Sequence, residues 1–433
     1  MNSTEYSEES LPKKKAKNDY FNNLRPISSN PHNFIQINLT ENLLTKPACI
    51  GEFSLDKSRL PSLGRSQARY FYEASLGNCN KTKISTKLTQ GFDKFKKEEK
   101  EDEGLLVLMR WILAMSVPDS SLKKSIHECD FIVWRGTITR LMFSCYDTGP
   151  NSVGVKVACC KFKGVYFIRE LNTKTKIKNE NSKTDYEEKM CFAGHKFEQI
   201  VTVEDLNMKP NTSQNVDLNS EFVGIFKATL NPPSNLSNSS NFNKFNLFYG
   251  AEIDCISSNG QHLEIKTQYK NIGFGKGFPN KHFKHILKCI LFTFIALKWW
   301  IQSYLASIKQ LVIGLHENLQ LNRVELIEVN SLFKYFSREN LNSSCCFAFL
   351  YLFLQTIKSY LDKGMEEDIL VAERLPNSNE FNFQLFEKGS EMANNYCVLS
   401  EEFKRFLLLC FSEIIRYLSA EMFRNKKNLR KSK

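Results

Sequence analysis

The chain has 433 residues, of which 42% are hydrophobic and 24% charged, and its formal net charge is +12 at pH 7. This hydrophobic content excludes a wholly disordered chain, and the length requires one large domain or two smaller ones. The positive charge favours a polyanionic partner, either nucleic acid or an anionic membrane. Thirteen cysteines, none in a zinc-binding pattern, indicate reduced thiols in an intracellular protein rather than a disulfide framework.

Both ends of the chain are predicted to lie outside the folded domain. Residues 1–30 are polar and charged without a sustained apolar period, so we predict a disordered basic arm there. Within this arm, PKKKAK at 12–17 resembles a nuclear localisation signal, which predicts a nuclear location and leaves the cytoplasm open as a second one. Residues 424–433 form a basic tail.

Between these ends, the pattern of apolar residues predicts a single large α/β domain over residues 31–423. Apolar residues recur at helical spacing in three segments, at 104–115, 283–305 and 402–423. Short β-rich segments lie at 131–143, 153–171, 222–230, 246–256, 262–269 and 310–317. We therefore expect mixed β-sheets flanked by helices.

Three polar segments interrupt this pattern, at 171–190, 207–219 and 231–244. Apolar segments continue on both sides of each, so they are predicted to be surface loops inserted into one domain rather than linkers. The most apolar stretch, Cys289–Trp300, is interrupted by Lys298 and is too short to cross a bilayer. It is predicted to be a buried helix, and no membrane partner is expected.

Two neighbouring β-rich segments carry acids at short spacing. YGAEIDC (249–255) holds Glu252 and Asp254, and LEIKT (263–267) holds Glu264 and Lys266. The turn between them ends in Asn-Gly, a strong hairpin signal that allows two registers. A two-residue loop would put the acids of the two strands on opposite faces. A three-residue loop with Gly260 in the left-handed conformation would place Asp254 opposite Glu264 and Glu252 opposite Lys266.

Only the second register gathers these side chains into a site. Three carboxylates at such short range repel one another unless a hard cation such as Mg²⁺ takes their oxygens as ligands. A lysine beside the metal could hold the attacking water or a phosphate oxygen. The residues thus point to hydrolysis of a phosphodiester or pyrophosphate, although alternating charges also occur on the exposed face of an ordinary amphipathic strand.

The order of motifs along the chain resembles the DXO family of decapping and NAD-cap-removing 5′-to-3′ exoribonucleases, whose core is related to the PD-(D/E)XK nucleases. The resemblance spans roughly residues 50 to 320. Its motifs are GEFSLDKSR (51–59), ARYFY (68–72), EGLLVLMRWIL (103–113), WRG (134–136), KFE (196–198), GAEIDC (250–255), LEIKT (263–267), KWWIQS (298–303) and QLVIGL (310–315).

The resemblance implies a role for each matching residue. The metal ligands would be Glu198, Glu252, Asp254 and Glu264, assisted by the main-chain carbonyl of Ile265, and they would hold Mg²⁺ or Mn²⁺, in two ions. The catalytic set would be Glu252, Asp254, Glu264, Lys266 and Gln302, with Lys266 and Gln302 contacting the scissile phosphate and the water. Arg135 would grip the 5′-terminal phosphate or cap. The substrate channel would be lined by Arg59, Glu103, Trp134, Arg135, Gly136 and Val223, together with Glu252, Lys266 and Gln302.

The predicted function is therefore metal-dependent hydrolysis at RNA 5′ ends, and the preferred 5′ end is left open. One alternative is a DNA-directed nuclease with the same core. Another is an RNA-binding partner that stimulates a larger nuclear 5′-to-3′ exoribonuclease. At single positions, Glu198 could belong to the exposed face of an amphipathic helix, and Arg135 could be a structural ion-pair partner. We assign no role to His195.

Overall fold

The computed structural model describes residues 24–34, 43–95, 102–117, 120–149, 151–234, 243–271, 283–336 and 341–408, with the backbone alone over 283–291. The strands are β1 Ile27–Ser28, β2 Ala48–Leu55, β3 Pro61–Leu63, β4 Tyr70–Phe71, β5 Gly77–Asn78, β6 Phe131–Trp134, β7 Val155–Phe162, β8 Val165–Leu171, β9 Thr202–Val203, β10 Glu221–Leu230, β11 Phe245–Glu252, β12 Cys255–Ile256, β13 His262–Tyr269, β14 Gln310–Glu317, β15 Gln320–Glu328, β16 Ile369–Arg374 and β17 Glu380–Phe386.

The α-helices are α1 Cys79–Thr82, α2 Leu106–Met115, α3 Leu122–Ser125, α4 Arg135–Phe143, α5 Lys174–Asn181, α6 Asp185–Val201, α7 Phe283–Leu305, α8 Phe333–Phe336, α9 Ser343–Leu361, α10 Glu391–Asn395 and α11 Glu401–Leu408. Short 3-10 helices cover Pro31–Phe34, Glu73–Ser75, Phe92–Lys94 and Val329–Leu332.

The strands form two mixed sheets. The larger has ten strands in the order β1-β17-β16-β7-β8-β6-β11-β10-β2-β3, and the smaller has seven in the order β5-β15-β14-β13-β12-β4-β9. In the larger sheet β6 runs parallel to both β8 and β11, and in the smaller one β13 runs parallel to β14. The remaining neighbours are mostly antiparallel, so the predicted class, one α/β domain with mixed sheets flanked by helices, is confirmed.

Both faces of the ten-stranded sheet are buried. Along β7, Val157 and Cys159 point into one core cluster, which also contains residues of α4, α7 and α9. The alternate residues Ala158 and Cys160 point into a second cluster, which contains residues of α2 and α11. A third cluster joins α6 to the seven-stranded sheet. This two-sided burial explains why the central strands are continuous apolar runs in the sequence.

The apolar helix α9 packs on the first face of the larger sheet. Among the residues that the structure describes, it is the one helix whose length and composition would suit a membrane span, and 67% of its apolar window is buried inside the fold. Phe349 and Phe353 of α9 both pack against Phe381 of β17, with ring centroids 5.5 and 5.2 Å apart. The helix is thus a core element of the domain.

The segment 131–143 differs from its prediction as a β-rich run. Only Phe131–Trp134 is a strand, and α4 begins at Arg135. Its β-branched residues favour a strand locally, but Ile138, Leu141 and Met142 lie at helical spacing and are all buried in the first core cluster. Packing of that apolar stripe therefore outweighs the local propensity.

The insert at 171–190, predicted to be a loop, is mostly helical. Thr173 caps the first turn of α5, accepting from the N–H of Lys176 at 3.1 Å. Thr184 and Glu187 form a reciprocal capping box at the start of α6. These caps stabilise the first turns of α5 and α6 without burying apolar surface. The lack of an apolar period in this segment therefore did not exclude helices. Residues 207–219 contain turns and no helix or strand, as predicted.

The disordered arm predicted for residues 1–30 extends too far along the chain. Residues 24–30 belong to the fold, because Ile27 and Ser28 pair with Phe381 and Glu380 of β17 and Leu24 packs on the first core cluster. Residues 1–23, most of the insert 231–244 and residues 409–433 lie outside the described residues. Of the helix predicted at 402–423, the described part is helical as far as Leu408.

Candidate active site

The hairpin between the two acidic segments has the three-residue loop. Cys255 pairs with Leu263 and Ile256 with His262, and the N–H of Ser257 donates to the carbonyl of Gln261 at 2.8 Å. Gly260 has φ +82°, the left-handed conformation that this loop requires. The register of these pairs places Asp254 opposite Glu264, as predicted.

The prediction that Glu252 lies opposite Lys266 is wrong, because the strand is broken before it reaches that point. Glu252 ends β11 in the ten-stranded sheet, where it pairs with Val223 of β10. The N–H of Ile253 donates to the carbonyl of Phe222 at 2.9 Å, and β12 then begins in the other sheet at Cys255. Glu252 and Asp254 therefore lie where the chain crosses from one sheet to the other.

Glu264 is the best-buried acid of the group. Its side chain is 2% exposed, and its two oxygens accept from different cations, Nη1 of Arg135 at 2.8 Å and Nζ of Lys266 at 2.6 Å. Burial opposes ionisation of this carboxyl, but Arg135 and Lys266 together hold its pKa down to about 2. The carboxylate is thus ionised and stabilised on both sides.

Asp254 has the opposite electrostatic environment. Its Oδ2 accepts from the main-chain N–H of Ile265 at 2.6 Å. Burial raises the pKa of Asp254 well above its ordinary value, and the negative charges of Glu264, Glu198 and Glu252 raise it further, against the attraction of Lys266. Four carboxyl groups from separate parts of the chain therefore share one electrostatic neighbourhood.

The donor set fits a hard divalent cation, because carboxylate oxygens are the ligands that Mg²⁺ and Mn²⁺ accept. The negative charges around Asp254 disfavour its ionised form, and a bound cation would stabilise that form. Within the described parts of the chain, no three acidic, histidine or cysteine side chains stand close enough to hold one ion as they are. Instead, Lys266 forms an ion pair with Glu264, and this ion pair and the one from Arg135 hold the site together in this structure.

Glu198 comes from α6, and its position depends on how closely that helix packs. Its Oε2 lies 3.6 Å from Nδ1 of His195, and both side chains are partly exposed. The preceding residue, Phe197, is fully buried, and its ring lies directly over Gly314 of β14. A Cβ added at Gly314 would stand 2.6 Å from two atoms of that ring. The glycine thus lets α6 approach the strand next to β13, bringing Glu198 toward the acids.

We expect Gly314→Ala to lower the free energy of unfolding by about 1–3 kcal/mol, the usual cost of overpacking a core. The matched control is Gly194→Ala on α6, where an added Cβ meets no atom within 4 Å. That substitution should stabilise the helix by about 0.5–1 kcal/mol, because glycine loses more backbone entropy than alanine. Urea unfolding of both variants measures the difference, and equal stabilities would contradict this role for Gly314.

Trp134 and Gly250 fix the direction of Arg135. The indole N–H of Trp134 donates to the carbonyl of Gly104 at 2.8 Å. Gly250 pairs with Trp134 across parallel strands, and a Cβ there would stand 2.5 Å from the indole ring. With Trp134 held in this way, Arg135 starts α4 pointing toward Glu264, and its side chain is only 10% exposed.

The other predicted channel residues lie in four different environments. Arg59 and Glu103 form a two-point ion pair, with Nε to Oε1 at 2.9 Å and Nη2 to Oε2 at 2.8 Å. Gly136 is exposed, with open space where a side chain would be. The side chain of Val223 is fully buried in the second core cluster. Gln302 is half-buried on α7.

Sequence reasoning missed Glu221, which forms a second ion pair with Arg59 at 3.1 Å. A cavity of about 600 Å³ opens beside Arg59 and Glu103 and is lined also by Asp102, Arg110 and Arg169. Glu221 begins β10, two residues before Val223, so the two side chains lie on the same side of the strand. This spacing could have indicated Glu221 from the sequence.

Asp254 directly precedes β12, and the Glu264-x-Lys266 triplet lies on β13, the strand paired with β12. This arrangement is that of a nuclease of the PD-(D/E)XK class. Residues 45–404 match the family described as "RAI1 like PD-(D/E)XK nuclease", and the chain belongs to this family. The family predicted from the motifs is therefore confirmed.

Similar proteins and structures agree with this assignment. Decapping nuclease dom-3 of Caenorhabditis elegans is 31% identical over 320 residues, which cover 74% of each chain. The decapping and exoribonuclease protein of Xenopus laevis is 25% identical over 329 residues, covering 73% of this chain and 76% of that one. The crystal structure of Candida albicans Rai1 in complex with pU5-Mn²⁺ has a TM-score of 0.66 at 15% identity, covering 89% of this chain and 99% of that one. Scheffersomyces stipitis Rai1 in complex with (3′-NADP)⁺ and calcium ion has a TM-score of 0.65 at 16% identity, covering 88% and 99%.

Proposed function

We propose that this protein is a metal-dependent hydrolase that processes RNA 5′ ends, as a decapping nuclease, a 5′ pyrophosphohydrolase or a 5′-to-3′ exoribonuclease. The observation that carries this proposal is the buried Glu264, held between Arg135 and Lys266 beside Asp254, whose pKa is raised by burial and by three other carboxylates. The names of the relatives, decapping nuclease and decapping and exoribonuclease protein, support the same substrate class.

The cofactor is a divalent cation, Mg²⁺ or Mn²⁺, and we propose two ions. The residues that would hold them are Glu198, Glu252, Asp254 and Glu264, with the carbonyl of Ile265. The Rai1 structures in complex with Mn²⁺ and with a calcium ion support a divalent site in this fold. When bound, the cations would supply Lewis acidity, stabilising negative charge on the phosphate oxygens.

The cationic side chains of the site would position the substrate. Arg135 carries five N–H donors, and its Nη1 is committed to Glu264, so others remain to bind the terminal phosphate or cap. Lys266 can turn from Glu264 toward a phosphate oxygen or the attacking water, a movement of one flexible side chain. Gln302 would hold the water from the side of α7. Trp134 would form the wall beside Arg135.

A panel of RNA ends tests the proposed reaction. RNAs with 5′-monophosphate, triphosphate, unmethylated cap or NAD cap are incubated with the full chain and Mg²⁺, and we expect at least one to release its terminal group or nucleotide. Removing divalent cations with a chelator should abolish hydrolysis but leave salt-sensitive RNA binding, since lysine and arginine contacts to phosphate persist. Hydrolysis that survives chelation, or a chain that cleaves none of the four RNAs, would contradict the proposal.

We further propose a nuclear location and a larger nuclear 5′-to-3′ exoribonuclease as the protein partner. The sequence PKKKAK supports the location, and the family resemblance, which includes proteins that stimulate such enzymes, supports the partner. A fluorescent fusion of the full chain should concentrate in nuclei, and replacing Lys13, Lys14 and Lys15 with alanine should release it to the cytoplasm. Equal distributions of the two fusions would count against this location signal.

A further inference from the structure

Lys196, the first residue of the motif KFE, has no role in the chemistry proposed above. It lies on α6 two residues before Glu198, so the two side chains leave the helix about 200° apart and Lys196 points away from the acids. The residue is nevertheless buried, with 1% exposed. Its Nζ donates to Oε1 of Gln199 at 2.8 Å and to the carbonyl of Thr212 at 2.6 Å. Among the residues that the structure describes, no carboxylate forms an ion pair with Lys196.

The hydrogen bonds of Lys196 join α6 to the polar insert 207–219. A buried ammonium group costs free energy unless its hydrogen bonds repay the lost hydration, and both acceptors here are neutral. A methionine would fill nearly the same space without that cost. Gln199, one turn later, donates from Nε2 to the carbonyl of Gln214 at 3.1 Å. Two side chains of α6 therefore hold two carbonyls of the insert, and this anchor is what the lysine adds.

The far end of the insert reaches the cavity beside Arg59. The carboxylate of Asp217 accepts from the N–H of Asn219 and from the hydroxyl of Ser220, both at 2.8 Å. This turn orients the carbonyl of Asn219 toward Arg59, whose Nη1 donates to it at 2.9 Å. Asn219 and Arg59 both line the cavity of about 600 Å³. The insert thus connects the helix of Glu198 to one wall of that cavity.

Arg59 depends on its contacts to keep its position. Its backbone has φ +56°, a left-handed conformation that residues with a side chain disfavour. All three nitrogens of its guanidinium are engaged: Nε and Nη2 donate to Glu103, and Nη1 donates to the carbonyl of Asn219 and lies 3.1 Å from Glu221. Releasing the carbonyl of Asn219 removes one of the contacts that hold this conformation. Glu103 is oriented by two hydrogen bonds from Arg59, so it would lose its fixed orientation as well.

We propose that Lys196 is a positioning residue for substrate binding. By anchoring the insert 207–219 to α6, it holds the carbonyl of Asn219 against Arg59, and Arg59 in turn orients Glu103 at the cavity. The inference rests on the proposed RNA-directed function, in which Arg59 and Glu103 line the substrate channel. The insert thereby acquires a role, since it transmits the position of α6 to the substrate side of the site.

Steady-state hydrolysis of the RNA that the unaltered full chain cleaves fastest tests this inference. In Lys196→Met, KM should rise by about tenfold while kcat stays within about twofold, because a binding surface is loosened and the acids are untouched. Amide hydrogen exchange of residues 212–219 should become faster by about tenfold or more, since the insert opens locally. A lysine that only stabilised the fold would lower the urea midpoint and leave KM unchanged.

The matched control is Lys189→Met, two turns earlier on the same helix. Lys189 is more exposed and pairs with Asp185 at 2.5 Å, so its loss should leave both kinetic constants unchanged. Asp217→Ala removes the other end of the connection and should also raise KM. The double variant of Lys196→Met and Asp217→Ala should be no worse than the more affected single variant, because both act through the insert.

The outcomes separate this inference from the proposed function. If folded Lys196→Met keeps the KM of the unaltered chain, or if the two KM effects multiply in the double variant, the positioning role is wrong and the proposed function stands. If Lys196→Met does not fold, Gln199→Leu leaves the lysine in place and should raise KM by about threefold. An unchanged KM in that variant would then contradict the inference. If the unaltered chain hydrolyses no RNA, both are wrong.

Discussion

Asp254→Asn is expected to slow hydrolysis strongly and, in metal-free buffer, to stabilise the protein. The asparagine keeps a side-chain oxygen to accept from the N–H of Ile265, so the local geometry survives. What is lost is a negative charge that burial and three neighbouring acids disfavour. We expect turnover to fall by about 10²–10³-fold or more, as for removal of one preorganised electrostatic group, and the free energy of unfolding to rise by about 1–3 kcal/mol.

The sign of the stability change follows from the raised pKa. Because the folded-state pKa of Asp254 lies above its ordinary value of 3.8, ionising this carboxyl in the folded protein costs free energy. That cost is absent below the ordinary value and grows as the pH rises through the raised pKa. The stability gained by Asp254→Asn in urea unfolding should therefore be larger at about pH 8 than at about pH 5.

Metal should reverse this order of stabilities. Mn²⁺ at a hundredfold excess over its Kd should stabilise the unaltered chain by about 2.7 kcal/mol, and it should stabilise the variant much less. Glu325→Gln, at an acid paired with Arg323 on β15, is the matched control and should leave activity unchanged and stability within about 0.5 kcal/mol. A destabilised metal-free Asp254→Asn protein, or one that turns over RNA at the rate of the unaltered chain, would contradict the role given to this residue.

Lys266→Ala should reduce turnover by about 10²–10³-fold while changing RNA affinity less than tenfold. The reason is that Arg135 still holds Glu264 ionised, so the site remains assembled and the other cations still bind phosphate. Only the group that would orient the water or stabilise the phosphate oxygens is missing. Separate measurement of kcat and of the Kd for RNA in chelator distinguishes these effects.

The control for Lys266→Ala is Lys270→Ala, just beyond the end of the same strand. Lys270 also forms a 2.6 Å ion pair with a glutamate, Glu317, but its side chain is 49% exposed. We expect its loss to leave both kcat and Kd unchanged, since exposed ion pairs contribute little. If Lys266→Ala weakens binding as much as it slows turnover, Lys266 contributes affinity rather than chemistry.

Local sequence signals predicted the hairpin and the acids that flank it. Asn259 and Gly260 specify a tight loop, and the spacing of Asp254 and Glu264 selects the register that gathers them. The crossing between sheets at Glu252 could not be predicted in this way. It depends on pairing with β10, whose residues lie about thirty positions earlier, and such pairing leaves no local trace in the sequence.

Two other features depended on contacts that a single sequence does not show. The helix α4 forms where β-branched residues favour a strand, because three of its apolar side chains meet the core at helical spacing. The pairing of Arg59 with both Glu103 and Glu221 joins three distant segments, and no motif announces Glu221. By contrast, α5 and the start of α6 could have been recognised from their caps, Thr173 and the Thr184 and Glu187 pair.

The central claim is that Glu198, Glu252, Asp254 and Glu264 bind a divalent cation in one pocket, and anomalous X-ray scattering from crystals soaked in Mn²⁺ tests it directly. The proposal predicts an anomalous peak among the four carboxylates, about 2.0–2.2 Å from their oxygens, with the amine of Lys266 moved off Glu264. A map with no peak there, in which Lys266 still bonds Glu264 and the other carboxylates point apart, would contradict it.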